Sequence, residues 1–105
     1  MTYISGKITG NPNAFKQFAE AQQFLINRGV SAINPMMLEG LFGSLEYEQY
    51  MQIDYALLNL CDTIFMIDGW QSSKGARAEL AYAKSLGKRV EYQRHYKKFK
   101  HIEAV

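Results

Sequence analysis

The sequence predicts an α/β fold: a parallel sheet of four to five strands with flanking helices, a three-layer sandwich. Three observations carry that prediction. Short β-branched and apolar runs at residues 1–5, 30–33, 63–67 and 88–92 alternate with amphipathic stretches long enough for helices. Gly29 and Gly87 close two of those stretches, as glycine does where a helix ends. Strands separated by helices of about 12 to 16 residues join through right-handed βαβ crossovers, not hairpins. A strand order of 2-1-3-4 then sets the first and third strands at the centre. Their C-terminal loops flank one crevice, where sheets of this kind bind ligands.

The first strand, 1–5, leads into the loop 6–10, with glycine at both ends. Asn11 and Pro12 read as a helix start, an N-cap residue followed by proline at the first helical position. Phe15, Phe18, Ala19, Gln22, Leu25 and Ile26 then recur at helical spacing. The second strand, 30–33, stops at Asn34-Pro35. Residues 36–45 read as a loop holding Gly40 and Gly43, with Met36, Met37 and Phe42 exposed. Tyr47, Tyr50, Met51, Asp54, Leu57, Leu58 and Cys61 form the clearest helical stripe of the chain. Asp62 reads as a cap or turn before the third strand, 63–67. A Ser/Gly loop, a third helix over 74–86 and a fourth strand over 88–92 follow, and the tail is weakly helical.

Composition narrows the class. A chain of 105 residues, 48% hydrophobic and 21% charged, is expected to build one core over residues 1–92, followed by a basic tail, 93–105. No apolar run approaches the roughly 20 residues of a membrane span, and no signal peptide opens the chain. The single cysteine, Cys61, argues against a disulfide framework, so the expected compartment is the cytoplasm. Of the net charge of +2, residues 94–105 contribute +3 and the rest −1. Arg94, Lys97, Lys98 and Lys100 beside Tyr96 and Phe99 would suit nucleic acid, but a solvated terminal face explains them better. His95 and His101 lack a metal-ligand constellation, and neither metal nor cofactor is expected.

Two carboxylates stand out. Asp54 interrupts an apolar stripe, where an unpaired charge costs several kcal/mol, so it requires a partner or a pocket. A structural aspartate accepting backbone N–H bonds is the plainer reading. Glu79 shares a helical face with Ala76, Leu80 and Ala83, near the positive end of its helix, which favours its ionised form. Such a carboxylate suits attack on an electrophilic carbon or stabilisation of an oxocarbenium ion. A pairing with Arg or Lys is the alternative. Ser72, Ser73 and Gly75 open that helix and offer hydroxyl and N–H groups to a phosphate. Trp70 suits stacking on a base or covering the sheet end. Across the crevice, the loop from Ser5 to Gly10 brings Gly6 and Lys7, whose ammonium can neutralise a phosphate.

Taken together, Tyr3-Ile4-Ser5-Gly6-Lys7-Ile8-Thr9-Gly10, Asn34-Pro35, Asp54, Cys61-Asp62 and Trp70-x-x-Ser73-x-Gly75-Ala76-x-x-Glu79 resemble the nucleoside 2-deoxyribosyltransferase-like superfamily. The likeness runs from residue 2 to about 92 and is greatest to small phage and bacterial proteins with a YISGxITG-type opening. It implies a flavodoxin-like or Rossmann-like domain that cleaves the N-glycosidic bond of a nucleoside or nucleotide. By that likeness Glu79 corresponds to the nucleophilic glutamate, and Asp54 to an aspartate that contacts the sugar or protonates the leaving base. Ser73 and the Gly6 loop match positions that hold the 5′-phosphate in the monophosphate hydrolases. Asp68 falls near an aspartate that contacts the base, and Tyr3 matches an aromatic residue lining the site. Lys7 and Thr9 depart from the pattern, since the hydrolases carry a small polar residue and then an arginine there. The superfamily also implies a homodimer, with the Tyr-rich second helix as candidate interface. The alternative from another class is a catalytically silent nucleotide-sequestering protein, of phage origin.

Overall fold

The computed structural model describes residues 1–41 and 45–96. Phe42 and Gly43, and Lys97, Lys98, Phe99, Lys100 and His101 of the tail, lie outside the described residues. Four parallel strands form one sheet in the order β2-β1-β3-β4, with β1 at Thr2–Ser5, β2 at Ala32–Ile33, β3 at Thr63–Met66 and β4 at Arg89–Tyr92. Three helices flank it: α1 (Ala14–Asn27), α2 (Tyr47–Asn59) and α3 (Lys74–Ser85). The sandwich is flavodoxin- or Rossmann-like, and the register aligns Ser5 with Met66, so the two central strands end side by side. No helix among the described residues is long and apolar enough to cross a membrane.

Strand alternation builds two cores. Ile4, Phe65 and Ile67 point to one face, where Ala14, Phe18, Ala21, Phe24 and Leu25 of α1 cover them. Tyr3, Ile64 and Met66 point to the other, beneath Leu58 at the end of α2, Cys61, and Ala76, Leu80 and Ala83 of α3. Burying each large apolar side chain contributes about 1.5–3 kcal/mol, and most of the largest sit on the two central strands.

Several expectations shift. α1 does not start at Asn11-Pro12: its N-cap is Asn13, and Asn11 instead accepts the Asn13 N–H at 3.1 Å and donates to the Lys7 carbonyl at 2.8 Å. Tying the loop after β1 uses Asn11 as a turn residue. The buried face of α1 is also rotated. Phe15 and Ile26 are 67% and 50% exposed, because α1 carries two adjacent apolar rows and the sheet covers the row of Ala14, Phe18, Ala21 and Leu25. Residues 35–41 form a 3₁₀ helix, Pro35–Leu41, with Met36 buried and Met37 exposed. Asn34 organises it, accepting from the Met36 N–H and donating to Gln22. Asp62 is exposed, accepting from the Thr63 hydroxyl and lying 3.6 Å from the terminal amine. After β4 the described tail forms a 3₁₀ turn, Gln93–His95, and Tyr96 packs on Phe24 and Phe65.

Candidate active site

α3 carries Ala76, Glu79, Leu80 and Ala83 on its buried side, so helical spacing directs one carboxylate at the sheet along with three apolar groups. Beneath it, the period of two along β1 presents Tyr3 and Ser5 on the same face. The Tyr3 hydroxyl donates to Glu79 Oε2 at 2.8 Å and the Ser5 hydroxyl donates to Oε1 at 2.7 Å. Each carboxylate oxygen is held by one donor, and Glu79 is only 6% exposed.

Asp54, half-buried on α2, faces the same cleft, and its charge acts on Glu79. Burial first, and the charge of Asp54 second, lift Glu79 well above its ordinary value of 4.5, while Ser5 and Tyr3 pull it down less strongly. The expectation that the helix end keeps Glu79 ionised is therefore corrected. Glu79 lies beyond the first turn of α3, where the dipole has faded, whereas desolvation acts in full. Its partners are hydroxyls and a carboxyl group, and among the described residues it has no salt bridge to Arg or Lys. The same surroundings push the Tyr3 phenol well above 10.0, so it stays a donor.

Glu79 and Asp54 open into a cleft of about 570 Å³, the size of a small-molecule site. The loop after β1 supplies Gly6, Lys7, Ile8 and Thr9; α2 supplies Tyr47, Tyr50 and Met51; residues 72–76 complete the rim. Ser73 caps α3, its hydroxyl oxygen accepting the Ala76 N–H at 3.1 Å. The Lys74 and Gly75 amides, first in that helix, have no acceptor within it.

A family profile described as "Domain of unknown function (DUF4406)" matches residues 1–92. The chain belongs to the DUF4406 family. No curated protein matches it. The DUF4406 match covers all four strands and three helices and ends with the last residue of β4, so it includes the whole cleft.

Within this DUF4406 domain the residues singled out from sequence that meet at the cleft include Glu79, Asp54, Gly6, Lys7, Ser72, Ser73 and Gly75. Tyr3 and Ser5 stand beneath it, joined through Glu79. Asp68 and Trp70 are not part of the lining. The exposed Asp68 gives its N–H to Gln93 Oε1 at 2.9 Å, and Trp70 packs toward Tyr92 at 6.1 Å. Gly69, at φ +90°, makes the left-handed turn that opens the 3₁₀ turn Trp70–Ser72. Sequence reasoning passed over Tyr47, Tyr50 and Met51 as cleft residues. The signal was present, since all three share a stripe with Asp54. Lys74 carried none. Among the described residues no group of three His, Cys, Asp or Glu side chains gathers as a metal ion would require.

Proposed function

We propose that this DUF4406 domain cleaves, or transfers across, the N-glycosidic bond of a nucleoside or nucleoside 5′-monophosphate. The observation that carries the reading is Glu79: buried at the floor of a cleft, held on both oxygens by Tyr3 and Ser5, with the Asp54 carboxyl group lining the same cleft. Glycoside chemistry through a covalent intermediate needs one carboxylate and one carboxylic acid at the same moment. Two coupled carboxyl groups, one of them raised by burial, can supply that combination.

Glu79 passes its proton to Asp54 and attacks the anomeric carbon, the C–N bond breaks with its electron pair leaving on the base, and Asp54 gives the base that proton. A glycosyl ester on Glu79 results. Asp54, now ionised, takes a proton from water or from an incoming base as it attacks, and Glu79 is released. The Tyr3 and Ser5 hydroxyls orient the nucleophile throughout. Lys7, Ser73 and the first amides of α3 would hold a 5′-phosphate. The likeness of the Tyr3–Gly10 and Trp70–Glu79 segments to nucleoside 2-deoxyribosyltransferase-like proteins supports the same chemistry.

The test is incubation of the purified protein with nucleosides and their 5′-monophosphates, both deoxy and ribo, with chromatography for free base. Base release is expected, reduced at least about a hundredfold by Glu79→Gln and by Asp54→Asn. Release by Glu79→Gln at the wild-type rate overturns the assignment. Nucleotide binding without release would instead favour sequestration.

A further inference from the structure

One contact across the cleft joins two side chains that the bond-cleaving chemistry leaves unused. Lys74, the first residue of α3, sets its Nζ 4.4 Å from the centroid of the Tyr47 ring, and Tyr47 is the first residue of α2. Both line the cleft, and Tyr47 is 37% exposed. The ammonium lies over a face of a ring that borders the cleft. Among the described residues Lys74 has no salt bridge, so no described ion pair competes with its contact to the ring. Lys7 and Ser73 border the same space, which makes this end of the cleft cationic and rich in donors.

We propose that Lys74 and Tyr47 select ligands that carry both an anion and a planar aromatic ring: the anion draws Lys74 off, and the bared Tyr47 stacks on the ring of the same ligand. The ligand class is taken from the nucleotide reading above. A ring without an anion has to displace the ammonium itself. An anion alone gains the ammonium and leaves Tyr47 bare. The two halves of the ligand therefore help one another, and the help is reciprocal. A cation–π contact at an exposed site corresponds to about a two- to fivefold change in affinity, which sets the size of the effect.

The probes are inorganic phosphate and the free bases adenine, cytosine and thymine, titrated against the full chain by NMR at constant ionic strength. Saturating phosphate is expected to tighten binding of at least one base about two- to fivefold. Lys74→Ala is expected to bind that base equally well with and without phosphate, at the tighter level. Tyr47→Leu is expected to lose base binding and keep phosphate binding. The proposal is overturned if no base binds, if phosphate leaves base affinity unchanged, or if the coupling survives in Lys74→Ala. Neither probe contains a glycosidic bond. Coupling without base release from nucleosides upholds this inference and removes the glycosidase reading, and release without coupling does the reverse.

Discussion

Tyr3 and Glu79 lie 76 positions apart and meet in a buried 2.8 Å hydrogen bond. The phenol sits in the second position of β1, the carboxyl group on the inner side of α3, and the charge of Asp54 on α2 acts on both. Three elements thus converge on one acidic group, and the following expectations test how it is tuned.

Tyr3→Phe removes one donor from Glu79 without changing the shape of the core. The Tyr3 hydrogen bond lowers the Glu79 pKa, so its loss raises that pKa further. Glu79 then ionises at higher pH, and the acidic limb of the base-release profile moves upward. A loss of about 1–3 kcal/mol in stability accompanies it, because an acceptor is left buried. Rate measured against pH, together with a denaturant titration, checks both effects.

Stability should fall as pH rises through the range above 4.5. Glu79 is raised well above that value in the folded state, so between the two values the folded chain holds a proton that the unfolded chain has released. The slope is negative there and flattens above the folded pKa. Glu79→Gln cannot ionise, so its melting temperature should gain on wild type as pH increases. Parallel thermal melts across pH measure the difference, and a constant offset would contradict the burial of an acidic Glu79.

Ser73 has a structural task that can be separated from any ligand. Its oxygen caps α3, so Ser73→Ala should cost about 0.5–2 kcal/mol. Ser73→Asp restores the cap and adds a negative charge on the cleft rim. Stability should recover while phosphate affinity falls, read by melting and by titration with inorganic phosphate.

Gly6 and Gly75 should respond in opposite ways to alanine. A Cβ on Gly6 would stand 3.1 Å from Ile67 Cβ and 3.3 Å from Phe18 Cε1, both within the core, so Gly6→Ala should destabilise by about 1–3 kcal/mol. On Gly75 the nearest atom is Met51 Sδ at 3.7 Å, an ordinary contact. Gly75→Ala should therefore be neutral or stabilising by up to about 1 kcal/mol, while narrowing the cleft. Melting curves of the two variants, set beside base release, distinguish packing from access.

Much of this molecule is legible in the chain. The order 2-1-3-4, the parallel pairing and the span of α3 follow from where apolar runs alternate with helical stripes and where Gly87 stops the last helix; α2 ends at Asn59, short of the Cys61 that closes its apolar stripe. Asp54 and Glu79 stood out because a carboxylate on an apolar face has to be accommodated. The start and the buried face of α1 were less legible. Asn11 and Asn13 are both competent caps, and Phe15 and Phe18 belong to adjacent rows that periodicity weights alike.

The sequence by itself determined the elements, their order and the two carboxylates, since these depend on local spacing and on the cost of burying charge. Only the tertiary structure decided who meets whom. It gave Glu79 two hydroxyl donors and an acidic neighbour, which reverses the expected direction of its pKa. It also left Trp70 and Asp68 outside the cleft and brought Tyr47 and Lys74 together across it. Desolvation and contact depend on positions far apart in the chain, and no local pattern encodes them.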